Sequence, residues 1–277
     1  VYSVFLKKKL YGKTLKRFWR MKLREKFDRL IEIMEILRSE KGCPWDRLQN
    51  HETLKRYLLE ETYELIEAIE NKDPESIKEE LGDLIFQIVF HSQIAKEQGN
   101  FDINDVIDSI IQKMIKRHPH VFGEAEFKTP EEVLNQWEER KKEEGKLGSS
   151  ILEGIPISLP SLLKAYKIQL RVAKVGFDWE NVDGVIEKIN EELKEVQEAI
   201  KEGKKTKIEE EIGDLLFSIV NLARFLKIDP ETALRKTNSK FEKRFKCLEK
   251  IAQQKGKSLK DMTLSEMDSL WKEIKNS

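Results

Sequence analysis

Apolar residues recur along most of this chain at the three- and four-residue spacing of helices, and strand-like alternation is scarce. Phe27, Leu30, Ile31, Met34 and Leu37 share one helical face, and "GCPW" breaks the pattern after them. A second helix is expected from about Thr53 to the turn at "NKD". Asp73-Pro74 then reads as an N-cap followed by proline at the first helical position, and the third helix runs to about Gly99. Further starts fall at "FDIND", Thr129-Pro130, "SLPSLL", Asp183 and Asp229-Pro230. "NKD" and "KEGKK" read as the turns of two helical hairpins, so the pattern predicts an all-α chain.

The pattern repeats. A shift of 131 residues carries Glu60, Glu61 and Glu64 onto Glu191, Glu192 and Glu195, and Glu80, Gly82 and Asp83 onto Glu211, Gly213 and Asp214. With a shift of 127, Lys113 and Arg117 meet Lys240 and Arg244; with 134, Trp137 and Lys141 meet Trp271 and Lys275. "CPWD" around Trp45 resembles "FDWE" around Trp179. This is a tandem duplication of a helical unit. The Gly- and Ser-bearing stretch "GKLGSSILEGIP" is the best linker. The division that results is a basic extension over residues 1–21, one domain over 22–144, a linker over 145–157 and a second domain over 158–277.

Much of what the repeat keeps is apolar. Leu84, Phe86, Ile88 and Val89 match Leu215, Phe217, Ile219 and Val220, which predicts a helix buried on most sides. Packing has no need of acids, yet the acids are kept too. Glu61 and Glu64 are three residues apart, as are Glu80 and Asp83, so each pair projects from one helical face. If the hairpin turns the pairs toward each other, four carboxylates converge. Two like charges 4 Å apart repel by about 4 kcal/mol at an effective dielectric near 20. A domain is stable by only about 5–15 kcal/mol. The acids are therefore either splayed into water or held by a cation. A solvated face would explain one acidic helix; two matched copies point to a site. An all-oxygen donor set suits Mg2+ or Mn2+. A di-iron bundle would need Glu-x-x-His pairs, and His51, His91, His118 and His120 occupy no such position.

Composition narrows the class. A length of 277 residues fits two domains. Lys+Arg and Asp+Glu balance at 51 each, which argues against a general nucleic-acid binder. Cys43 and Cys247 form neither a disulfide framework nor a metal-ligand cluster. There is no apolar run long enough for a membrane span, and a cytoplasmic location is expected. The first twenty residues hold seven Lys or Arg and no acid, and read as a flexible basic extension, with a phosphate-binding or membrane-surface arm as the sharper alternative.

"EETYE…EELGD" and "EELKE…EEIGD" resemble the signature of the MazG nucleoside triphosphate pyrophosphohydrolases, and "GCPWD", "RHPHVFG", "VGFDW" and "NSKFEKRF" resemble its tandem-domain members. The likeness runs from about Phe27 to Lys275. It implies two tandem four-helix-type domains in a homodimer. It also implies Mg2+-dependent cleavage of nucleoside triphosphates to monophosphate and pyrophosphate, with broad base tolerance.

Carried over residue by residue, the resemblance makes Glu192, Glu195, Glu211 and Asp214 metal ligands, with Glu61, Glu64, Glu80 and Asp83 their N-terminal counterparts. Glu191, Glu192, Glu211 and Asp214 would be catalytic, Glu191 by positioning a water or the nucleotide. Lys188, Glu191, Lys207, Glu210, Lys240, Arg244, Trp271 and Lys275 would bind nucleotide. Trp271 is read either as a stacking surface or as a core anchor of the last helix. A narrow dCTP or phosphoribosyl-ATP pyrophosphohydrolase shares the acids, but the tandem arrangement favours the broad type. A regulatory module without turnover is the other alternative. The halves also differ. Lys188, Lys207, Asn221, Arg224 and Asn238 stand where the N-terminal half has Tyr57, Ser76, Phe90, Gln93 and Ile111. The extra cations and polar groups place the principal activity in the C-terminal half.

Overall fold

A computed structural model describes residues 22–125, 127, 129, 132, 133, 136 and 150–276. The basic extension, Trp137, Lys141, the helix start at Pro130 and the first part of the linker lie outside them. The described residues are all-α, as the periodicity predicts, with no strand among them. Nor is any described helix long and apolar enough to cross a membrane. The chain divides into two compact units, Val1–Thr129 and Pro130–Ser277.

The first unit holds α1 (Leu23–Arg38), α2 (Pro44–Leu48), α3 (His51–Asn71), α4 (Pro74–Glu97), α5 (Ile103–Arg117) and the short α6 (Pro119–Phe122). The helix expected near Thr53 starts two residues earlier, because Asn50 is its N-cap and accepts from the Glu52 and Thr53 N–H groups at 2.9 and 3.0 Å. Asp73 caps α4 and Pro74 occupies its first position, as the sequence indicates. α3 and α4 form the hairpin, and α1 packs on α4. Met34, Leu54, Val89, Phe90, Ile94 and Ile103 make the core, with Tyr57 and Phe86 packed against it. Arg38 closes one end by donating to both Glu97 carboxylate oxygens, at 2.9 and 2.6 Å.

The second unit repeats the plan with α7 (Ser161–Ala173), α8 (Val182–Glu202), α9 (Lys205–Phe225), α10 (Pro230–Gln254), a 3-10 turn (Leu259–Asp261) and α11 (Leu264–Asn276). α8 and α9 are the hairpin, α7 lies on α9, and α11 packs on α10. α8 begins at Val182 because Asn181, not Asp183, is its N-cap. The two hairpin turns meet the same backbone demand differently. Gly203 has φ 73° after α8, and Lys72, at the matched position after α3, has φ 55°.

One expectation is corrected. Val89 and Val220 are buried, but Ile88 and Ile219 are about half exposed, as are Leu81, Ile85, Ile212 and Leu216. The hairpin helices have one face in their own core and a second apolar face left open, so periodicity overstated their burial within the chain. Phe90, at 1% exposure, is the largest fully buried side chain. We expect Phe90→Ala to destabilise the first unit by about 3–5 kcal/mol, read as a lowered first transition in a thermal melt with the later transition unmoved.

Candidate active site

Helical geometry sets the acids. Glu192 and Glu195 stand one turn apart on α8, Glu211 and Asp214 one turn apart on α9, and the Gly203 turn sets the register between them. Glu192, Glu195 and Glu211 each present an oxygen within 4.8 Å of the others'. Glu61, Glu64 and Glu80 do the same in the first unit. Asp214 and Asp83 stand beside these triads, close enough for their charges to raise the pKa of Glu211 and Glu61 respectively.

The repulsion is visible in the titration of the acids. Loss of hydration, then the neighbouring Glu195, pushes the Glu211 carboxyl above its ordinary range. Loss of hydration and the charges of Asp83, Glu64 and Glu80 do the same to Glu61, and loss of hydration with Glu64 to Glu80. Glu192 is 5% exposed, and its Oε2 has no hydrogen-bond partner. A hard divalent cation with bonds of about 2.1 Å holds neighbouring oxygens roughly 3–4 Å apart, so this all-carboxylate set, with Glu192 buried and Glu195 and Glu211 half-buried, fits one.

Lys188 sits one turn before Glu192. Its Nζ lies 2.7 Å from Glu191 Oε1 and 2.7 Å from Glu192 Oε1, and these two carboxylates hold the ammonium well above the usual lysine pKa. Beside it opens a cleft of about 620 Å3 between α7, α8, α9 and the α7–α8 loop. Lys188, Glu192 and Asp214 line it together with Gln169, Phe177, Trp179 and Phe217. Gln169, 4% exposed, is fixed by donating from Nε2 to the Phe217 carbonyl at 2.8 Å.

The other sequence-derived candidates lie outside the cleft lining. Lys207, at the start of α9, lies 2.9 Å from Glu202, and its charge opposes the rise of Glu211. Glu191 is more than half exposed and engaged by Lys188. Glu210 is exposed on α9. Lys240 and Arg244 are one turn apart on α10. Trp271 packs its ring 5.0 Å from Phe241, which ties α11 to α10 as a core anchor would. Lys275 is exposed near the end of α11. Sequence reasoning missed Gln169, Phe177 and Trp179 as site residues. The signals for the loop were the resemblance of "FDWE" to "CPWD" and the family likeness of "VGFDW", and Gln169 had none, because a loop tryptophan and a helix glutamine carry no periodicity of their own.

The chain thus carries a duplicated acid-bearing hairpin, with a cleft beside the second copy. The model of the MazG nucleotide pyrophosphohydrolase domain matches twice, over residues 49–122 and 181–248. The chain belongs to the MazG family. It is 51% identical over 250 residues to the nucleoside triphosphate pyrophosphohydrolase/pyrophosphatase MazG of Thermotoga maritima, covering 90% of this chain and 95% of that protein. It is 46% identical over 253 residues to the nucleoside triphosphate pyrophosphohydrolase of Escherichia coli K12, covering 90% and 96%. The crystal structure of a mazG-related protein from Thermotoga maritima aligns with 42% of this chain and 98% of its own at 35% identity and a TM-score of 0.36, too low to bear on the fold.

A raised carboxyl pKa means that the ionised form is disfavoured in the folded state. That penalty is present above the raised value and is relieved as pH falls through it. Glu211→Gln removes it at every pH. With chelator present, we expect the variant to melt above the wild type at pH 7, and the gap to close as pH falls into the carboxyl range.

Proposed function

We propose that this chain hydrolyses nucleoside triphosphates, ribo- and deoxyribo- alike, to the monophosphate and pyrophosphate. We propose Mg2+ as its cofactor, with Mn2+ as the alternative, activity chiefly in the C-terminal unit, and a homodimeric assembly. The observation that carries the reading is that Glu192 and Asp214 belong both to the acid group and to the cleft wall. A nucleoside seated in the cleft would have its phosphates beside the carboxylates.

A cation held by Glu192, Glu195, Glu211 and Asp214 would neutralise phosphate charge and lower the pKa of a bound water. Lys188 offers an ammonium that stays charged across the physiological range at the cleft edge. Its two carboxylate partners fix its position before a phosphate arrives, so little reorganisation is needed. Glu191, next to Glu192 and paired with Lys188, would orient a water or the nucleotide. Lys207 adds positive charge near Glu211. The family resemblance assigns Lys240, Arg244 and Lys275 to the outer phosphates, though none lines the cleft. The apolar share of the cleft wall favours no particular base, which suits broad substrate tolerance.

The preference for the C-terminal unit rests on how matched positions are filled. Lys188 and Asn221 line the cleft, whereas Tyr57 and Phe90 at the same register pack into the first unit's core. Trp45 sets its ring edge-on to Tyr57 at 5.6 Å. The first unit therefore keeps its carboxylates but carries aromatic rings at the positions where the second unit has Lys188 and Asn221. The assembly reading rests on the open apolar face of both hairpins, with Ile212, Leu216 and Ile219 along one side of α9.

We expect Glu211→Gln with Asp214→Asn to lower pyrophosphate release from ATP and dNTPs at least 100-fold. Glu80→Gln with Asp83→Asn should leave most of it, and the reverse ranking would refute the C-terminal assignment. Mg2+ should raise the melting temperature of the wild type and have little effect on the C-terminal pair of changes. Light scattering should report a dimer that Leu216→Asp converts to monomer; a wild-type monomer at micromolar concentration would refute the assembly.

A further inference from the structure

The α7–α8 loop forms part of the cleft wall through Phe177, Asp178 and Trp179. Such a loop needs something to hold it, and Asp178 supplies it. Its Oδ1 accepts from the Trp179 backbone N–H at 2.9 Å and from Arg224 Nη2, and its Oδ2 accepts from Arg224 Nη1 at 3.0 Å. Arg224 is buried on α9 and spends its Nε–H on Asn221 Oδ1 at 2.9 Å. A paired, charge-assisted fork of this kind fixes direction as well as distance. Through Asp178, α9 thus sets the backbone position of Trp179.

The indole ring is located from its other side by a missing side chain. Gly184 lies in the first turn of α8, and a β-carbon there would stand 2.8 Å from Trp179 Cε3, 3.4 Å from Cζ3 and 3.5 Å from Cδ2. Carbon atoms do not approach to 2.8 Å, so any residue but glycine would force the ring to move. A glycine has the poorest helix propensity after proline, so its presence here answers the ring rather than the helix. Trp179 nonetheless remains 43% exposed while lining the cleft, so the ring still offers surface to an occupant.

We propose that Trp179 is the surface on which the substrate's nucleobase stacks, and that Gly184 and the Asp178–Arg224 pair are positioning residues that hold it there. The inference rests on the nucleoside triphosphate reading of the cleft. An indole face stacks on any base without demanding a hydrogen-bond pattern. That gives breadth of substrate a physical basis.

The test is steady-state pyrophosphate release by full-length Gly184→Ala, with inorganic tripolyphosphate as a competing ligand that has phosphates and no base. The KM for ATP should rise about tenfold, since stacking on an aromatic side chain contributes that much or more. The kcat should change by less than about twofold, and inhibition by tripolyphosphate should not move. Trp179→Ala should reproduce the rise, Trp179→Phe should recover most of it, and Gly184→Ala should add nothing in the Trp179→Ala background. An unchanged KM in Gly184→Ala overturns the proposal, as does an equal loss of tripolyphosphate inhibition or a further loss in the double variant. Asp178→Asn, which weakens the loop clamp without touching α8, must shift KM in the same direction and provides the readout if Gly184→Ala does not fold. A wild-type chain that bound ATP and released no pyrophosphate would refute the hydrolase reading instead, and stacking would then be measured as the ratio of ATP to tripolyphosphate affinity.

Discussion

Carboxylates held near one another by paired helices are the constraint on which this structure turns. Two turns of α8 and α9 bring Glu192, Glu195 and Glu211 together, and Glu192 is buried, so its charge cannot relax into solvent. Everything around the cluster can be read as a response. Lys188 neutralises one end, and Lys207 opposes the rise at the other. The hairpin has to be rigid for this to hold. A capped helix start at Asn181 and a left-handed glycine at 203 set the register of the two helices within a turn.

The duplication separates what the cluster needs from what a substrate needs. Both units keep an acid triad, which shows that the hairpin alone suffices to build it. Only neighbours decide whether there is room beside it. Phe90 in the first unit sits among Met34 and Leu54 and belongs to the core, whereas Asn221 at the same register lines a cleft. A single aromatic side chain fills much of the volume that an asparagine leaves open, so a few substitutions change what lies beside the acids in one helical plan.

The apolar surface obeys a second constraint. A hairpin that must display acids on one side and pack on another has two faces committed, yet α4 and α9 carry a third row of large apolar residues. Periodicity reported these as buried, since the pattern of a core face and that of an interface are chemically alike.

The helices, the duplication, the paired acids and the family were all legible in the order of residues, because they depend on spacing of three or four along a helix, on capping residues and on a repeat that compares the chain with itself. Asp73-Pro74 capping α4 and Glu211 lying one turn from Asp214 needed nothing more. The cleft was a different matter. Trp179, Gln169 and Asp178 come from a loop and from helices distant in sequence, and the role of Gly184 is defined by the ring that lies 2.8 Å from its absent β-carbon. Trp271 matched its repeat partner in sequence, but its contact with Phe241 was not legible there. Local periodicity determined the helices and the charges they must confront. Which side chains share a space was decided only by tertiary packing, since volume and contact between distant segments leave no trace in spacing along the chain.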